Sequence, residues 1–424
     1  MRMTSLFETE LKTLPITKEM VREAYRKVLA NKGSAGVDKE SLEDYQKDLL
    51  NNLYKLWNRL ASGSYFPKPV REVTIPKSNG GERKLGIPTV EDRIAQQVIK
   101  TYLEPRLEKV FHENSYGYRP SKNAHDAVDE VRKNVKQYWW VIDIDIKNFF
   151  AEVNHELLLK ALDRHVEEKW VKMYITRWLE CPSQSADGTL TPNNGNGTPQ
   201  GGVISPLLSN LFLHYVIDKW LPKQSKYIKF VRYADDIIVH CYSEWEAKRL
   251  LKVVRKRLKE CLLRLNEEKT KLVYCQTCRR KRVKGYSKKF DFLGFTFKPR
   301  TSTYQKDGRY VLFLGYDCAM SQKSKTRILK GWFKMSLNLR SSLTLQDIAT
   351  MVEPQMRGVI RYYGRYRRWE LQRVMWYFQR RLVKWALNRY KRFKRSFNRA
   401  YKWLRKIKLQ YQTMFYHWTI FPSI

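Results

Sequence analysis

Two adjacent carboxylates, Asp235 and Asp236, are the residues of this chain whose types and spacing most directly suggest chemistry. They lie between two apolar, β-prone runs, 230–233 and 237–240, so the pattern predicts a β-hairpin with the acids at its turn. Neighbouring like charges disfavour joint ionisation unless a cation lies between them, which indicates a divalent-metal site for phosphoryl chemistry. An exposed Asp-Asp turn is the simpler interpretation, and this hairpin alone favours it, because Asp is a common turn residue.

A second pair of acids, Asp143 and Asp145, lies in the strictly alternating run 139–146. Alternation predicts a β-strand whose isoleucines face one side and whose two acids face the other. Acids inside a central strand are costly unless they are paired, protonated or bound to metal. This strand is therefore a second source of metal ligands, and its spacing does not choose between Asp143 and Asp145.

Basic residues flank a third candidate site, in the run 73–88. Two strand-like arms meet at Asn79-Gly80-Gly81, which is a strong hairpin signal. Lys77 and Arg83 lie near its tip and could clamp a triphosphate. An edge hairpin protected by charge is an equally favoured interpretation.

Loops separate these candidate elements. The segment 112–120, which contains Arg119, is dense in polar and aromatic residues, and such loops serve binding more often than core packing. The segment 183–196 has the composition of a flexible loop. The glycine- and proline-rich run 197–206, with Gln200 at its centre, leads into an apolar helix over 207–220, and its glycines permit close approach to a ligand.

Composition indicates a folded protein with a polyanionic partner. The 424 residues contain 82 Lys+Arg and 42 Asp+Glu, for a net charge of +40, and 43% are hydrophobic. Solubility does not require such an excess, so nucleic acid is the expected partner. No apolar run is long enough to span a bilayer and no signal peptide is evident, so neither membrane association nor export is expected. Six irregularly spaced cysteines fit reduced thiols in a cytoplasm, and Cys275-x-x-Cys278 is only half of a zinc-site pattern.

Helical patterns frame the chain. Apolar spacing predicts an amphipathic helix over 17–31, Thr89 is a candidate cap for the next long helix, and Ser243-x-x-Glu246 is a capping box. The run 292–297 is predicted to be a strand. From 361 to 408 the only acid is Glu370, amid many cations and interleaved aromatic residues, which predicts a helical nucleic-acid-binding domain.

In their order along the chain, these segments resemble a bacterial group II intron-encoded reverse transcriptase/maturase over roughly residues 20–400. Seven ordered motifs make the resemblance strong, although each alone is weak. They are the run 75–93, Ser115-Tyr116-Gly117-Tyr118-Arg119-Pro120, Asp143-Ile144-Asp145 with Phe149-Phe150, Gly197-Thr198-Pro199-Gln200-Gly201-Gly202, Tyr233-Ala234-Asp235-Asp236, Asn266-x-x-Lys269-Thr270 and Phe292-Leu293-Gly294-Phe295.

The resemblance implies an α+β right-hand polymerase with fingers, an antiparallel-sheet palm and a C-terminal helical thumb/maturase domain. We expect a helical extension over 1–56, fingers and palm over 57–300, and a basic RNA-binding thumb/maturase domain over 301–424. The implied ligands of two Mg²⁺ ions, which Mn²⁺ could replace, are Asp145, Asp235 and Asp236, with Ile146 beside them. The motif selects Asp145 over Asp143 because its aromatic residue, Phe150, follows five positions later.

The remaining implied residues bind nucleotide or nucleic acid. Phe150 would favour deoxynucleotides by crowding a 2′-OH, Gln200 would contact the incoming nucleotide, Lys77 and Arg83 would grip the triphosphate, and Lys269 is a weaker candidate. Ala151 stands where the family usually has an acid, and the basic loop between Thr270 and Phe292 is longer than usual. Candidate nucleic-acid contacts are Arg119, Arg365, Arg368, Lys384, Arg389 and Arg395.

The expected activity is RNA-directed DNA synthesis on an RNA template from a DNA or RNA primer with dNTPs, together with intron RNA binding that assists splicing and mobility. The resemblance implies a cytoplasmic location in a bacterium, with nucleoid association as an alternative. No cluster resembles a His-Asn-His endonuclease, so that domain is not expected. The alternatives are a non-enzymatic RNA-binding maturase, and a domesticated enzyme of phage defence, repair or CRISPR spacer acquisition.

Overall fold

The computed structural model describes residues 13–76, 81–393 and 396–423. The chain forms two compact units: unit 1 comprises Met1–Val131 and Ile142–Lys271, and unit 2 comprises Arg132–Val141 and Leu272–Ile424. The division of the chain at 56 and 300 that the sequence suggested stays a proposal. None of the described helices is both long and apolar enough to cross a membrane.

Unit 1 is built mainly from helices around a buried apolar core. Val21, Ala24 and Val28 of the first helix are almost completely buried, as the 3.6-residue spacing predicts. Helix α5 leaves unit 1 after Val131. The helices down to the end of unit 1 are α1 (Lys18–Asn31), α2 (Leu42–Lys47), α3 (Leu49–Ala61), α4 (Val90–Glu108), α5 (Ala124–Gln137), α6 (Phe149–Glu152), α7 (His155–Asp163), α8 (Lys169–Glu180), α9 (Ser205–Leu213) and α10 (Glu244–Glu260).

Two sheets supply the strands of unit 1. In the first, β2 (Glu82–Ile87) pairs antiparallel with β1 (Val70–Pro76), which pairs with β4 (Ser183–Gln184), itself paired with β5 (Leu190–Thr191). In the second, β6 (Lys229–Tyr233) pairs antiparallel with β7 (Asp236–Cys241), and β7 lies beside β3 (Trp140–Ile144), whose first two residues belong to unit 2. This second sheet carries the predicted acids.

Unit 2 combines a long antiparallel ribbon with a helical domain. Strands β10 (Phe295–Lys306) and β11 (Arg309–Met320) pair along their whole length, and β9 (Phe290–Phe292) pairs with the start of β10. Trp332, Phe378, Trp385 and Trp418 are almost fully buried in the helical core. The other elements are β8 (Lys271–Tyr274), α11 (Gln322–Lys334), α12 (Leu345–Tyr363), α13 (Arg368–Arg389), α14 (Phe397–Gln410) and α15 (Tyr416–Ile420).

Most of the sequence-predicted elements are present. Helix α1 matches the predicted helix over 17–31, and the Oγ1 of Thr89 accepts the Asp92 N–H at 3.1 Å. The Oγ of Ser243 accepts the Glu246 N–H at 3.1 Å, but the Glu246 carboxylate turns to the Tyr242 N–H, so the capping box is only half formed.

Three predictions need correction. Leu293 and Gly294 have positive φ angles of 47° and 81°, so a turn between β9 and β10 interrupts the strand predicted over 292–297. The predicted loop 183–196 contains the short strands β4 and β5. The apolar helix over 207–220 is α-helical only to Leu213, after which His214–Asp218 forms a π-helix.

Candidate active site and nucleic-acid interface

The acid pair lies on the predicted hairpin. Tyr233 pairs with Asp236, so only Ala234 and Asp235 connect β6 to β7, and this two-residue turn confirms the hairpin. Ala234 adopts a left-handed conformation with φ of 55°, which is uncommon for a residue with a side chain. The strands set Asp235 in the turn and Asp236 at the start of β7.

The loop that contains Gly117 packs along this hairpin. The Arg232 N–H donates to the Asn114 carbonyl at 2.9 Å, and the Tyr116 N–H donates to the Arg232 carbonyl at 2.8 Å. A Cβ atom at Gly117 would lie 2.4 Å from the backbone nitrogen of Ala234, a separation that no side chain can adopt. Glycine is therefore required for the loop to approach the turn.

A buried arginine fixes the same turn from inside. Arg232 is fully buried, and its guanidinium binds the equally buried Asp218, at 2.7 Å between Nε and Oδ1. It also donates to Asn210 Oδ1 at 2.8 Å, to Ser115 Oγ at 2.7 Å and to the Ala234 carbonyl at 3.1 Å. Removing one partner of such a pair costs about 3–5 kcal/mol, because the other charge is left buried and unpaired.

Sequence reasoning missed this network. Asp218 ends the π-helical turn His214–Asp218, and no spacing rule predicts such a turn. The available signal was Arg232 itself, a cation between the apolar Phe230-Val231 pair and the motif that carries the acids.

Asp145 follows β3 directly, and the motif at 266–270 holds it. The Asn266 Nδ2 donates to Asp145 Oδ2 at 2.8 Å, and the Asn266 N–H donates to the Asp145 carbonyl at 2.8 Å. The ammonium of Lys269 lies 3.1 Å from the same Oδ2. Ile146 is buried and forms a bridge with Leu265, which anchors the backbone beside Asp145.

The three carboxylates Asp145, Asp235 and Asp236 influence one another electrostatically. Burial, followed by repulsion from Asp235 and Asp145, raises the pKa of Asp236 to about 7, although part of its side chain still reaches solvent. Burial also raises the pKa of Asp235; the Asp145 charge adds to this, and Arg83 and Lys269 oppose it. Like charges concentrated in this way are stabilised by a cation.

Hard divalent cations such as Mg²⁺ prefer carboxylate oxygens, so the chemistry of this donor set fits such a metal. As the side chains stand, no group of three or more His, Cys, Asp or Glu in the described part of the chain is arranged to hold a metal ion. The reason at Asp145 is visible, since its Oδ2 is engaged by Asn266 and Lys269.

A cavity of about 270 Å³ brings together the sequence-predicted nucleotide residues Phe150 and Gln200. The Gly86 N–H donates to the Gln200 carbonyl at 2.8 Å, which joins the glycine-rich loop to β2. Arg83, on β2, is exposed and acts on the pKa of Asp235. Lys77 lies outside the described residues.

The predicted nucleic-acid contacts divide into two groups. Arg119 is almost buried, donates to Glu108 and to the carbonyls of His112 and Ser115, and so holds the loop together instead of facing a ligand. Arg389 donates to the carbonyls of Ser341 and Leu343, and its role as a nucleic-acid contact stays a prediction.

The other candidates lie at the surface of unit 2. Arg368 is exposed but donates to the Ile420 carbonyl at 3.1 Å. Arg365 and Lys384 are exposed, and Arg395 lies outside the described residues.

Two family models match the chain. Residues 75–297 match "Reverse transcriptase (RNA-dependent DNA polymerase)", and residues 326–403 match "Group II intron, maturase-specific domain". The first match contains every predicted catalytic residue, and the second contains helices α12 and α13.

Two individual proteins are also similar in sequence to this chain. The chain is 32% identical to Protein YkfC of Escherichia coli K12 over 296 residues, which cover 60% of this chain and 76% of YkfC. It is 23% identical to the Group II intron-encoded protein LtrA of Lactococcus lactis over 425 residues, which cover 80% of this chain and 68% of LtrA.

Among solved structures, the chain resembles a telomerase from Candida albicans in complex with a fragment of telomeric RNA. Sequence identity is 12% and the TM-score is 0.47, with coverage of 87% of this chain and 69% of that chain. A truncated telomerase from Candida tropicalis gives 15% identity and a TM-score of 0.43, with coverage of 55% of this chain and 53% of that chain.

The reverse transcriptase model covers more than half of the chain and carries with it the expected α+β right-hand polymerase class. The chain belongs to the reverse transcriptase family, and it carries a group II intron maturase-specific domain.

Proposed function

We propose that this protein is an RNA-directed DNA polymerase whose metal ligands are Asp145, Asp235 and Asp236. The main support is positional: Asp145 follows β3, Asp236 begins the neighbouring strand β7, and Asp235 lies in the turn between β6 and β7. Their electrostatic coupling adds to this support, because the pKa values of Asp235 and Asp236 are raised by burial and by the neighbouring acids.

Mg²⁺ is the proposed metal, as two ions with Mn²⁺ as a substitute. When bound, such ions activate a primer 3′-OH and stabilise the leaving pyrophosphate. Asn266 orients Asp145 through its amide, and Lys269 balances the Asp145 charge until the site is loaded.

The incoming dNTP is proposed to occupy the cavity lined by Phe150 and Gln200. Phe150 is proposed to exclude a 2′-OH from this cavity, and the Gln200 carbonyl accepts the Gly86 N–H. Arg83 is proposed to bind the triphosphate, because its side chain is exposed and its charge lowers the pKa of Asp235. Lys77 and Lys269 are proposed as further contacts to the triphosphate.

A second function, assistance to intron splicing and mobility, is proposed from the maturase-specific domain. The LtrA relative is by its name a group II intron-encoded protein, and 80% of this chain aligns with it. Template RNA, primer and intron RNA are thus the proposed partners. A group II intron flanking the gene would support this function over a domesticated role.

Primer extension tests the polymerase proposal. Purified protein with Mg²⁺, dNTPs and a DNA-primed RNA template should extend the primer. Asp235→Asn removes one charge with little change of shape, so extension should fall by at least about 10²-fold. The affinity for the primed template should change little.

The matched control is Asp187→Asn, an exposed aspartate in the loop between β4 and β5, and it should leave extension unchanged. Wild-type protein that binds the primed template without extending it would reject the enzymatic proposal. Full extension by Asp235→Asn would reject the assignment of the ligand.

A further inference from the structure

Helix α13 presents aromatic side chains to solvent on one face. Trp369, Trp376 and Tyr377 are 51%, 43% and 51% exposed, whereas Phe378 and Trp385 of the same helix are completely buried. Burial of large aromatic residues is the usual outcome of folding, and a contiguous exposed set marks an interaction surface. The fold thus separates the aromatic residues of this basic segment into core and surface.

Cations alternate with these rings along the same face. The Arg373 guanidinium lies 5.4 Å from the Trp369 ring centre, and that of Arg380 lies 4.8 Å from the Trp376 ring centre. Lys384 is exposed one turn further on. Positions 369, 373, 376, 380 and 384 follow helical spacing, so they form one continuous stripe, here called the α13 stripe together with Tyr377.

The neighbouring helix α14 widens the stripe. Arg380 also lies 5.7 Å from the Phe397 ring centre, and Phe397 stacks with Tyr401 at 6.5 Å and an interplanar angle of 9°. The ring of Tyr401 is 37% exposed. Flat rings and guanidinium groups therefore cover the adjoining surfaces of both helices.

Neither the α13 stripe nor helix α14 contains an acid. Glu370 is the acid of α13, and it is buried and bonded to Arg300 and Lys325. The stripe is thus purely cationic and aromatic. A second copy of the chain would bring an identical positive surface against it, which like-charge repulsion disfavours, whereas a polyanion is complementary.

The ring surfaces select the form of the polyanion. Bases in a duplex stack on one another, whereas unpaired bases stack on aromatic and guanidinium planes. Building on the proposed RNA-binding function, we infer that the α13 stripe binds an unpaired segment of RNA. Its bases stack on Trp369, Trp376 and Tyr377, and its phosphates contact Arg373, Arg380 and Lys384.

The test compares affinities for a fluorescent single-stranded 12-nucleotide uridine RNA and for a blunt 12-base-pair duplex RNA. Stacking contributes about 1–3 kcal/mol per base, so Trp369→Ala/Trp376→Ala should weaken single-strand binding by at least about tenfold. Duplex affinity should change less than threefold. Trp245→Ala is the matched control, because Trp245 is 72% exposed and its ring centre lies 5.7 Å from the Arg249 guanidinium, but both residues belong to α10 of unit 1.

Salt dependence separates the two roles. The tryptophan variant should keep the slope of log affinity against log salt, because it loses no cation. Arg373→Gln/Arg380→Gln/Lys384→Gln should reduce the slope by about 2, at roughly 0.7 per phosphate contact of a single strand. Thermal unfolding checks that each variant is folded.

Photo-cross-linking of wild-type protein to 5-iodouridine RNA gives a second measurement that needs no variant. Cross-links within 369–384 support the inference, and cross-links confined to other segments overturn it. Unchanged affinity of the tryptophan variant for single-stranded RNA also overturns the inference, even if the variant changes how copies of the chain associate. If wild-type protein does not extend primers but the tryptophan variant loses single-strand affinity, the polymerase proposal fails and this one stands.

Discussion

At the scale of single residues, the chemistry of the proposed site depends on how Asp145 is held. Its Oδ2 accepts a hydrogen bond of 2.8 Å from the Asn266 side-chain amide and lies 3.1 Å from the Lys269 ammonium nitrogen. Motif order and the family resemblance were needed to select Asp145, Asp235 and Asp236 as candidates, because spacing alone left Asp143 and Asp145 equivalent. They could not show that Asn266 reaches Asp145, since that contact joins residues 121 positions apart.

Asn266→Ala should lower kcat for primer extension by about tenfold, because a hydrogen bond to a charged group contributes about 1.5 kcal/mol or more. The Mg²⁺ concentration for half-maximal activity should rise as well, since Asp145 loses its orienting partner. Steady-state kinetics at several Mg²⁺ concentrations measure both effects. Asn52→Ala is the control, because the Asn52 amide donates only to the Tyr45 carbonyl between helices α2 and α3. An unchanged metal dependence in Asn266→Ala would contradict a positioning role.

Phe150→Ala should increase ribonucleotide incorporation relative to deoxynucleotide incorporation. Phe150 lines the cavity that also contains Gln200, and loss of its ring opens space beside the sugar. Selection against one small substituent is worth about 1–3 kcal/mol, so discrimination should fall by roughly tenfold or more. Single-nucleotide kcat/KM values for UTP and dTTP measure the ratio. Phe150→Leu keeps much of the bulk and should keep most of the discrimination; equal ratios in all three proteins would exclude the steric role.

At the scale of elements, local patterns predicted the pieces of the site, and packing determined how they meet. Alternation and turn chemistry sufficed for the β6–β7 hairpin, because they act within a few residues. The bond between Arg232 and Asp218 joins a strand to a π-helical turn, and the turn at Leu293-Gly294 interrupts a mostly apolar run. These features arise from tertiary packing, which overrides local preference.

Gly117→Ala tests whether the loop at 114–117 positions the hairpin. The new Cβ would lie 2.4 Å from the Ala234 nitrogen, so the loop or the turn must move. Overpacking of this kind costs about 1–3 kcal/mol, and we expect a lower Tm together with strongly reduced primer extension. Thermal unfolding and extension assays measure the two effects.

The matched control is Gly358→Ala in helix α12. A Cβ at Gly358 would meet no atom within 4 Å, and alanine is the better helix former, so the Tm should stay constant or rise. If Gly117→Ala extends primers as well as Gly358→Ala does, the loop has no role in placing Asp235 and Asp236.

At the scale of the whole molecule, the sequence indicated a basic nucleic-acid-binding protein but did not show where the chain divides. Composition changes near residue 320, whereas the chain passes from one compact unit to the other after Val131, Val141 and Lys271. Segment 132–141 belongs to unit 2 because of long-range contacts, such as the hydrogen bond from Arg132 to Asp317 at 2.8 Å. Composition does not record contacts across 185 positions.

The two units should respond differently to acid. In unit 1, burial lowers the pKa of His214 to about 4 and of His240 to about 3, but it raises the pKa of Asp92 to about 6 and of Asp236 to about 7. A histidine that stays neutral in the folded protein lowers the free energy of unfolding as the pH falls below 6.5, because only the unfolded chain binds the proton. A carboxyl whose pKa is raised in the folded protein increases the free energy of unfolding over the same range, so these two kinds of shift in unit 1 act in opposite directions.

In unit 2, the pKa shifts of His417 and of two carboxyls change stability in the same direction on acidification. Burial lowers the pKa of His417 to about 3, and its Nε2 lies 3.1 Å from Gln379 Oε1. Burial acts to raise the pKa of Asp317, but the hydrogen bond and charge of Arg132, together with the Cys318 N–H and Arg367, lower it overall, and hydrogen bonds from Thr344 lower the pKa of Asp347. Both lowered pKa values therefore also reduce the free energy of unfolding on acidification, but only near pH 4 and below.

We therefore expect unit 2 to lose about 2 kcal/mol through His417 between pH 7 and pH 5. His417→Leu should remove this loss, even though the absent hydrogen bond lowers stability equally at both pH values. Denaturant unfolding at pH 7 and pH 5 measures the difference, and Thr419→Val, on the same short helix, should keep the wild-type pH dependence. Identical pH dependence in His417→Leu and the wild type would show that His417 does not control the acid response of unit 2.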